Sequence, residues 1–261
     1  MVKLNICADN LYLRDEYISK NPSLHEEDSP WKVDKISPLV DKFISHINKR
    51  EINLLDAGGG AGLILKGISE YIERNYNIRP NKYALDLSPG MLEIQKKRNP
   101  DLKKLLNENI KMTSLNNKEI DLTLMIDLLE HIPNPAEALK EVKRISEFVI
   151  LKVPLEDNLT IKILNFLNRG KLKRDFIEIM GHINFYNFNK LKAQVERYTG
   201  HVLDFYFTNL SDYFLNSEHY KNKMKTRNKL LNFIAAHTFK LSPKLSSFIF
   251  NDFVIMLVRC Y

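Results

Sequence analysis

Cysteine is scarce in this 261-residue chain: Cys7 and Cys260, one near each end, are the only two. Two thiols exclude a disulfide framework and a zinc site built from cysteines, and they fit a reducing compartment. Nine glycines and ten prolines are too few for collagen-like or low-complexity architecture. Long apolar runs are missing as well; residues 148–153 and 253–258 have strand length, well short of a bilayer span. The N-terminus, MVKLNICADNLYLRDEY, places charges where a signal peptide needs its apolar core, so a soluble cytoplasmic protein is expected. Acidic residues are absent between Glu218 and Asp252, a stretch holding Lys221, Lys223, Lys225, Arg227, Lys229, Lys240 and Lys244. Those seven charges equal the formal net charge of +7, so the excess is a local patch and the rest of the chain is balanced.

What is present is a globular composition, 44% hydrophobic and 27% charged, on enough chain for one large α/β domain with a small insertion. Ile36, Leu39, Val40, Phe43, Ile44 and Ile47 follow helical spacing. A short apolar run, residues 52–55, then ends in Asp56 and a glycine cluster, and Leu63, Ile64, Ile68, Tyr71 and Ile72 mark the next helix. Residues 83–86 read as a second strand, followed by a helix with Ser88 as N-cap and Pro89 at its first position. Residues 109–112 read as a weak third strand, 121–126 as a strong fourth, and Asn134-Pro135-Ala136-Glu137 as a capped helix start. Residues 148–153 (FVILKV) have the mostly apolar character of a central strand covered on both faces. A helix near 189–199, a strand at 201–207 and a last strand at 252–259 complete the pattern. The alternation predicts a Rossmann-like α/β fold, a doubly wound and mostly parallel sheet with helices on both faces, whose ligands bind at the carboxyl ends of the strands.

At the first such end stands Asp56-Ala57-Gly58-Gly59-Gly60-Ala61-Gly62. A dinucleotide fingerprint beginning at Gly58 needs glycine where Leu63 stands. Asp56 would repel a pyrophosphate and attract a ligand bearing an ammonium and a sulfonium. Asp86, at the second strand end, suits a ribose diol, since Ser88 already serves as the helix cap.

These residues carry a resemblance. Residues 54–62 (LLDAGGGAG), 85–92 (LDLSPGML) and 127–135 (DLLEHIPNP) resemble the class I S-adenosylmethionine-dependent methyltransferases, with the type 11 and type 23 domains as the nearest subgroup; residues 181–186 (GHINFY) fit the same subgroup. The resemblance runs from about Val33 to Phe207, with a last strand near Phe253. It implies transfer of a methyl group from S-adenosylmethionine to an oxygen or nitrogen of a small-molecule or glycan-like acceptor. It also implies that Asp56, Gly58, Gly60 and Gly62 hold the methionine part of the cofactor and that Asp86 holds the ribose. Leu87, Met91, Met112 and Thr113 would then flank the adenine, with Asp127 near the reacting sulfur. Where many relatives carry an acid after the third strand, this chain has Lys111-Met112-Thr113-Ser114.

A sulfonium is an activated donor, so alignment supplies much of the catalysis and a base need only remove the acceptor's proton. His131 and His182 are the candidates, each with the alternative of a structural loop histidine. Asp127, Glu130, His131 and His182 also have the ligand types of a divalent metal, a pattern similar to metal-dependent methyltransferases of the quinone-ring and small-RNA terminal-ribose types. The Glu-His pair recurs in metal-free relatives, so no metal is assigned from sequence. An Asn-Pro-Pro-aromatic motif for base amino groups, a cysteine nucleophile and a Walker loop are all absent.

The basic stretch falls in an insertion at about 209–248. A helix over 221–240, with Met224, Leu231, Ile234 and Ala235 on one side, is read as a solvated cover for the substrate cleft. The functional alternatives are an interfacial helix on anionic lipid through residues 221–244, or recognition of an acidic glycan, nucleotide-sugar or RNA. No RNA-binding motif accompanies it, so nucleic acid is the lesser reading, as is a non-catalytic cofactor-binding module. Residues 1–32, which include the single Trp31, are expected to form an N-terminal lid or extension to a methyltransferase domain spanning 33–261.

Overall fold

The computed structural model describes residues 26–261. Seven strands form one mixed sheet: β1 (Glu51–Ala57), β2 (Arg79–Leu85), β3 (Lys104–Leu106), β4 (Ile120–Ile126), β5 (Ser146–Pro154), β6 (Gly200–Phe207) and β7 (Phe253–Cys260), in the order β3-β2-β1-β4-β5-β7-β6. The pairs from β3 through β5 are parallel, while β7 runs antiparallel to both β5 and β6. Strand order reverses between β1 and β4, which creates the crevice where open α/β sheets bind ligands.

Period-two alternation explains both layers. Leu55, Tyr83, Met125 and Val149 face a core shared with α4 (Pro135–Ile145) and α7 (Phe188–Tyr198). Leu54, Ala84, Leu122 and Ile150 face the opposite core, with α1 (Ser29–Ser45) and α2 (Leu63–Tyr76). Central strands buried on both faces need apolar residues at successive positions, hence the continuous run in β4, every residue of which is buried.

Several local expectations change. Ser88 does cap α3 (Pro89–Arg98), its Oγ accepting the Met91 N–H at 3.0 Å. Asn134 adopts a left-handed φ of 56° and makes no side-chain cap at α4. The third strand is β3, and residues 109–112 keep only an isolated antiparallel bridge between Asn109 and Met112. Cys7 and most of the expected N-terminal lid lie outside the described residues. Trp31 sits inside the first turn of α1 and stacks on Tyr213 at 4.4 Å, where a segment preceding the helix was expected.

Beyond β5 come α5 (Leu159–Leu167), α6 (Lys171–Asp175) and a π turn at Phe176–Met180. The long connection between β6 and β7 holds α8 (Leu210–Asn216), α9 (Glu218–Lys221), α10 (Thr226–Leu241) and α11 (Pro243–Ile249). The basic helix therefore begins at Thr226. Among its residues only Ala235 and Ala236 are buried; Leu231 and Ile234, which share one side of it with Ala235, are exposed.

Candidate active site

The loop after β1 folds tightly enough to require glycine. Gly58 donates its N–H to the Leu85 carbonyl at 2.7 Å, and Gly58 and Gly60 have φ of +67° and +50°. A Cβ on Gly59 would lie 2.2 Å from Oδ2 of Asp56, so the loop closes directly over that carboxylate. Asp56 is buried and its Oδ2 has no hydrogen-bond partner among the described residues. Burial, then the charge of Asp86, push its pKa up to about 7, against the pull of the Leu65 amide. A buried carboxylate left this way favours a cation beside it.

Asp86 follows β2. Its Oδ1 accepts the Ser88 N–H at 2.9 Å, and Asn107 Nδ2 donates to the carbonyls of Asp86 and Leu87, which fixes the start of α3. A cleft opens here. Of the residues expected at the cofactor, Gly58, Gly60, Asp86, Leu87, Met91 and Asp127 line it, together with His131. Asp56 faces an adjoining cavity, and Gly62 instead starts α2 with φ of 76°. Met112 and Thr113 do not line the cleft. Met112 is 80% exposed, and Thr113 donates both its N–H and hydroxyl to Glu141 at 2.8 Å. Because β3 ends at Leu106, the wall after it is made by Glu108, Asn109, Ile110 and Lys111, and the chain has turned away by residue 112. An acid does stand after the third strand: it is Glu108.

At the end of β4, Asp127 takes a left-handed φ of 51°. Its two oxygens meet Lys152 Nζ at 2.5 Å and Lys32 Nζ at 2.9 Å. Burial alone would raise its pKa, but the two ammonium groups hold it below the ordinary carboxylate range. Lys152 is fully buried, its Nζ 3.2 Å from the centroid of the Phe253 ring. Burial pushes its pKa down to about 8 against the attraction of Asp127. Reading FVILKV as an apolar strand passed over this lysine. Its position near the carboxyl end of a central parallel strand was the available signal.

A 3-10 turn, Leu129–His131, follows. Asn184 Nδ2 bonds the carbonyls of Leu129 and Ile132 at 3.1 and 2.8 Å, tying this turn to the GHINFY segment. The tie brings His131 and His182 together, ring centroids 4.8 Å apart. Nδ1 of His131 lies 3.1 Å from the Gly181 carbonyl, and Nδ1 of His182 lies 2.8 Å from Glu156 Oε1. Both partners only accept, so each Nδ1 carries a proton, and in a neutral ring Nε2 holds the lone pair. Burial, with the charge of His182 adding to it, pushes His131 down to about 4. Burial opposes protonation of His182, yet its hydrogen bond to Glu156 raises it overall. Glu130, buried with Oε2 unpartnered among the described residues, is pushed up to about 8 by burial and by Asp127. One donor atom each from Glu130, His131 and His182 lies within 4.8 Å of the others.

A second cavity adjoins the cleft and shares Gly58, Gly60, Asp127 and His131 with it. Trp31, Tyr213, Phe214, Tyr220 and Phe253 give it aromatic walls, while Lys152, Glu130 and His182 reach it from the sheet side. The cover thus comes from α8 and α9, not from the basic helix. Tyr213 and Tyr220 donate to Asp28 at 2.7 and 3.0 Å, which fastens this cover to the 3-10 turn Glu26–Asp28.

Residues 55–147 match the family model described as a methyltransferase domain. No curated protein matches the chain. Among solved structures it is similar to geranyl diphosphate C-methyltransferase from Streptomyces coelicolor, at 9% identity and a TM-score of 0.56, covering 86% of this chain and 76% of that one. It is also similar to the cyclopropane synthase MmaA2 of Mycobacterium tuberculosis, at 14% identity and a TM-score of 0.57 over 85% and 83% of the two chains. The [4+2]-cyclase SpnF shares the fold at 11% identity and a TM-score of 0.51, over 85% and 80%. One fold thus serves proteins named for different reactions, and the acceptor must be argued from the site.

Proposed function

We propose that this chain, a class I S-adenosylmethionine-dependent methyltransferase by family model and fold, methylates an oxygen or nitrogen of a small-molecule or glycan-like acceptor held in the aromatic cavity. The observation that carries the cofactor assignment is Asp56: a buried carboxylate with an unpartnered oxygen, beneath a glycine loop and next to Asp86. Asp56 with the backbone of Gly58 and Gly60 suits the cationic methionine end, and Asp86 the ribose diol. Leu87, Met91 and Ile110 offer the apolar walls of an adenine site, with Glu108 as the acid at its edge. Bound there, S-adenosylmethionine supplies a methyl group already activated on sulfur.

The chain's own residues then align the acceptor and take its proton. His131 lies where the two cavities meet, and its low pKa keeps it neutral at pH 7 with Nε2 carrying the lone pair. His182, raised by Glu156, is placed to share or relay that proton.

Calorimetric titration of S-adenosylmethionine and S-adenosylhomocysteine tests the cofactor half. Asp86→Ala removes two charge-assisted hydrogen bonds to the ribose and should weaken binding about a hundredfold. Absence of binding to the wild type defeats the reading. The acceptor half is tested by locating the label from methyl-labelled cofactor in products; label on carbon would rule out O- or N-transfer.

The Glu130, His131 and His182 set favours a second version in which a divalent cation assists. Oxygen and imidazole donors suit magnesium, manganese or zinc, and both histidines have the Nδ1 support that metal-bound imidazoles show. Addition of manganese to the protein without cofactor should raise its melting temperature, and Glu130→Gln should remove that rise. Full turnover after chelation ends this version.

A further inference from the structure

The helices beyond β5 and those between β6 and β7 meet at one face, since α11 contacts both α5 and α10. That face is apolar on the outside. Fifteen of the eighteen exposed large hydrophobic residues among the described residues lie in segments 159–180 and 230–248. Phe166, Leu167, Ile179, Leu230, Leu241 and Phe248 are between 61% and 88% exposed. A helix normally turns its apolar stripe to the core; α5 buries only Ile161, and α10 only its two small alanines. Concentrated exposed hydrocarbon of this kind marks a surface that meets a partner.

Charge identifies the partner. Residues 159–180 hold Lys162, Arg169, Lys171, Lys173 and Arg174 against Asp175 and Glu178, and residues 219–251 hold the seven basic residues of the insertion with no acid. These two segments carry twelve of the 39 basic residues and two of the 32 acidic ones, leaving a net charge of −3 on the rest of the chain. Lys162 pairs with Asp157 at 3.1 Å, and the seven basic residues of the insertion are all exposed. Apolar side chains interspersed with lysine and arginine on one face, with no helix among the described residues long and apolar enough to cross a membrane, are the chemistry of a surface lying in an anionic lipid interface.

We infer that α5, the π turn, α10 and α11 together dock on the surface of an anionic lipid bilayer. Ile179 and Met180 belong both to this face and to the wall of the second cavity, so docking sets the rim of the acceptor cavity against the lipid headgroups.

Sedimentation of the full chain with vesicles tests this, using phosphatidylglycerol mixed with phosphatidylcholine against phosphatidylcholine alone. Binding to the anionic vesicles only, falling as salt rises, is expected. Lys229→Gln and Lys240→Gln should each weaken it about fivefold. Phe166→Glu with Leu241→Glu should weaken it at least tenfold, with the melting temperature unchanged. No sedimentation with either vesicle overturns the inference, as does equal binding by the Phe166→Glu, Leu241→Glu variant. A dimer mass in light scattering that this variant halves, without vesicle binding, would assign the face to a second copy. Salt-sensitive retention of an unstructured RNA, untouched by the apolar substitutions and without vesicle binding, would assign it to nucleic acid. Vesicle binding requires neither cofactor nor turnover, so its failure leaves the methyl-transfer reading standing.

Discussion

At the carboxyl ends of β1, β4 and β5 the chain buries Asp56, Glu130, Lys152 and Glu156 and half-buries Asp127, while α5, α10 and α11 hold leucine, isoleucine and phenylalanine out in solvent. A domain normally divides these residue types the other way. Buried charge is tolerated at the strand ends because most of it is paired: Lys152 and Lys32 with Asp127, Glu156 with His182. Asp56 and Glu130 each keep an oxygen without a partner among the described residues, and both have raised pKa values. The exposed hydrocarbon has no such internal partner. Each departure marks a place where the fold is completed by something other than itself, a small ligand in one region and an extended surface in the other.

The largest effect that would sharpen this contrast is a pH dependence. Asp56 ionises at 3.8 in an unstructured chain and at about 7 when folded. A raised folded value means that its stabilising contribution is whole below the unfolded value and is lost as pH rises through the folded one. The wild type without ligand should therefore match Asp56→Asn near pH 4 and fall about 4 kcal/mol below it by pH 8 in urea titrations. Parallel curves across that range would show that the carboxylate is not strained. Next comes Lys152→Met, which leaves the half-buried Asp127 with Lys32 alone. A loss of about 3 kcal/mol, on the order of 8 °C in melting temperature, is expected. Adding Asp127→Asn should restore part of it, and the double variant read against each single variant measures the coupling. The smallest effect lies on the cap: Phe166→Ser or Leu241→Ser should leave stability within about 0.5 kcal/mol of wild type. A drop of 2 kcal/mol or more, of the size expected for truncating a core residue, would mean that these side chains pack internally, and it would dissolve the comparison.

Most residues lining the candidate site were legible because they lie on short segments that each carry their own signal. A strand, an acid and clustered glycines place Asp56, Gly58 and Gly60; a strand, Asp86 and a Ser-Pro helix start place the second arm. Met112 and Thr113 were misplaced because a three-residue strand has too little periodicity to set its own end. Lys152 was overlooked because its strand is otherwise apolar, and a pattern of hydrophobicity does not show which position faces Asp127.

By itself the sequence determined the alternation of strands and helices, the two-sided burial of the central strands and the chemistry at the ends of β1 and β2, since these depend on neighbours within a few residues. Only the tertiary structure decided that His131 and His182, fifty-one positions apart, stand edge to face, that Lys32 and Lys152 share Asp127, and that the leucines of the basic helix point outward. Those outcomes turn on which distant elements are in contact, and the free energy of such contacts comes from area and charge that no local window contains.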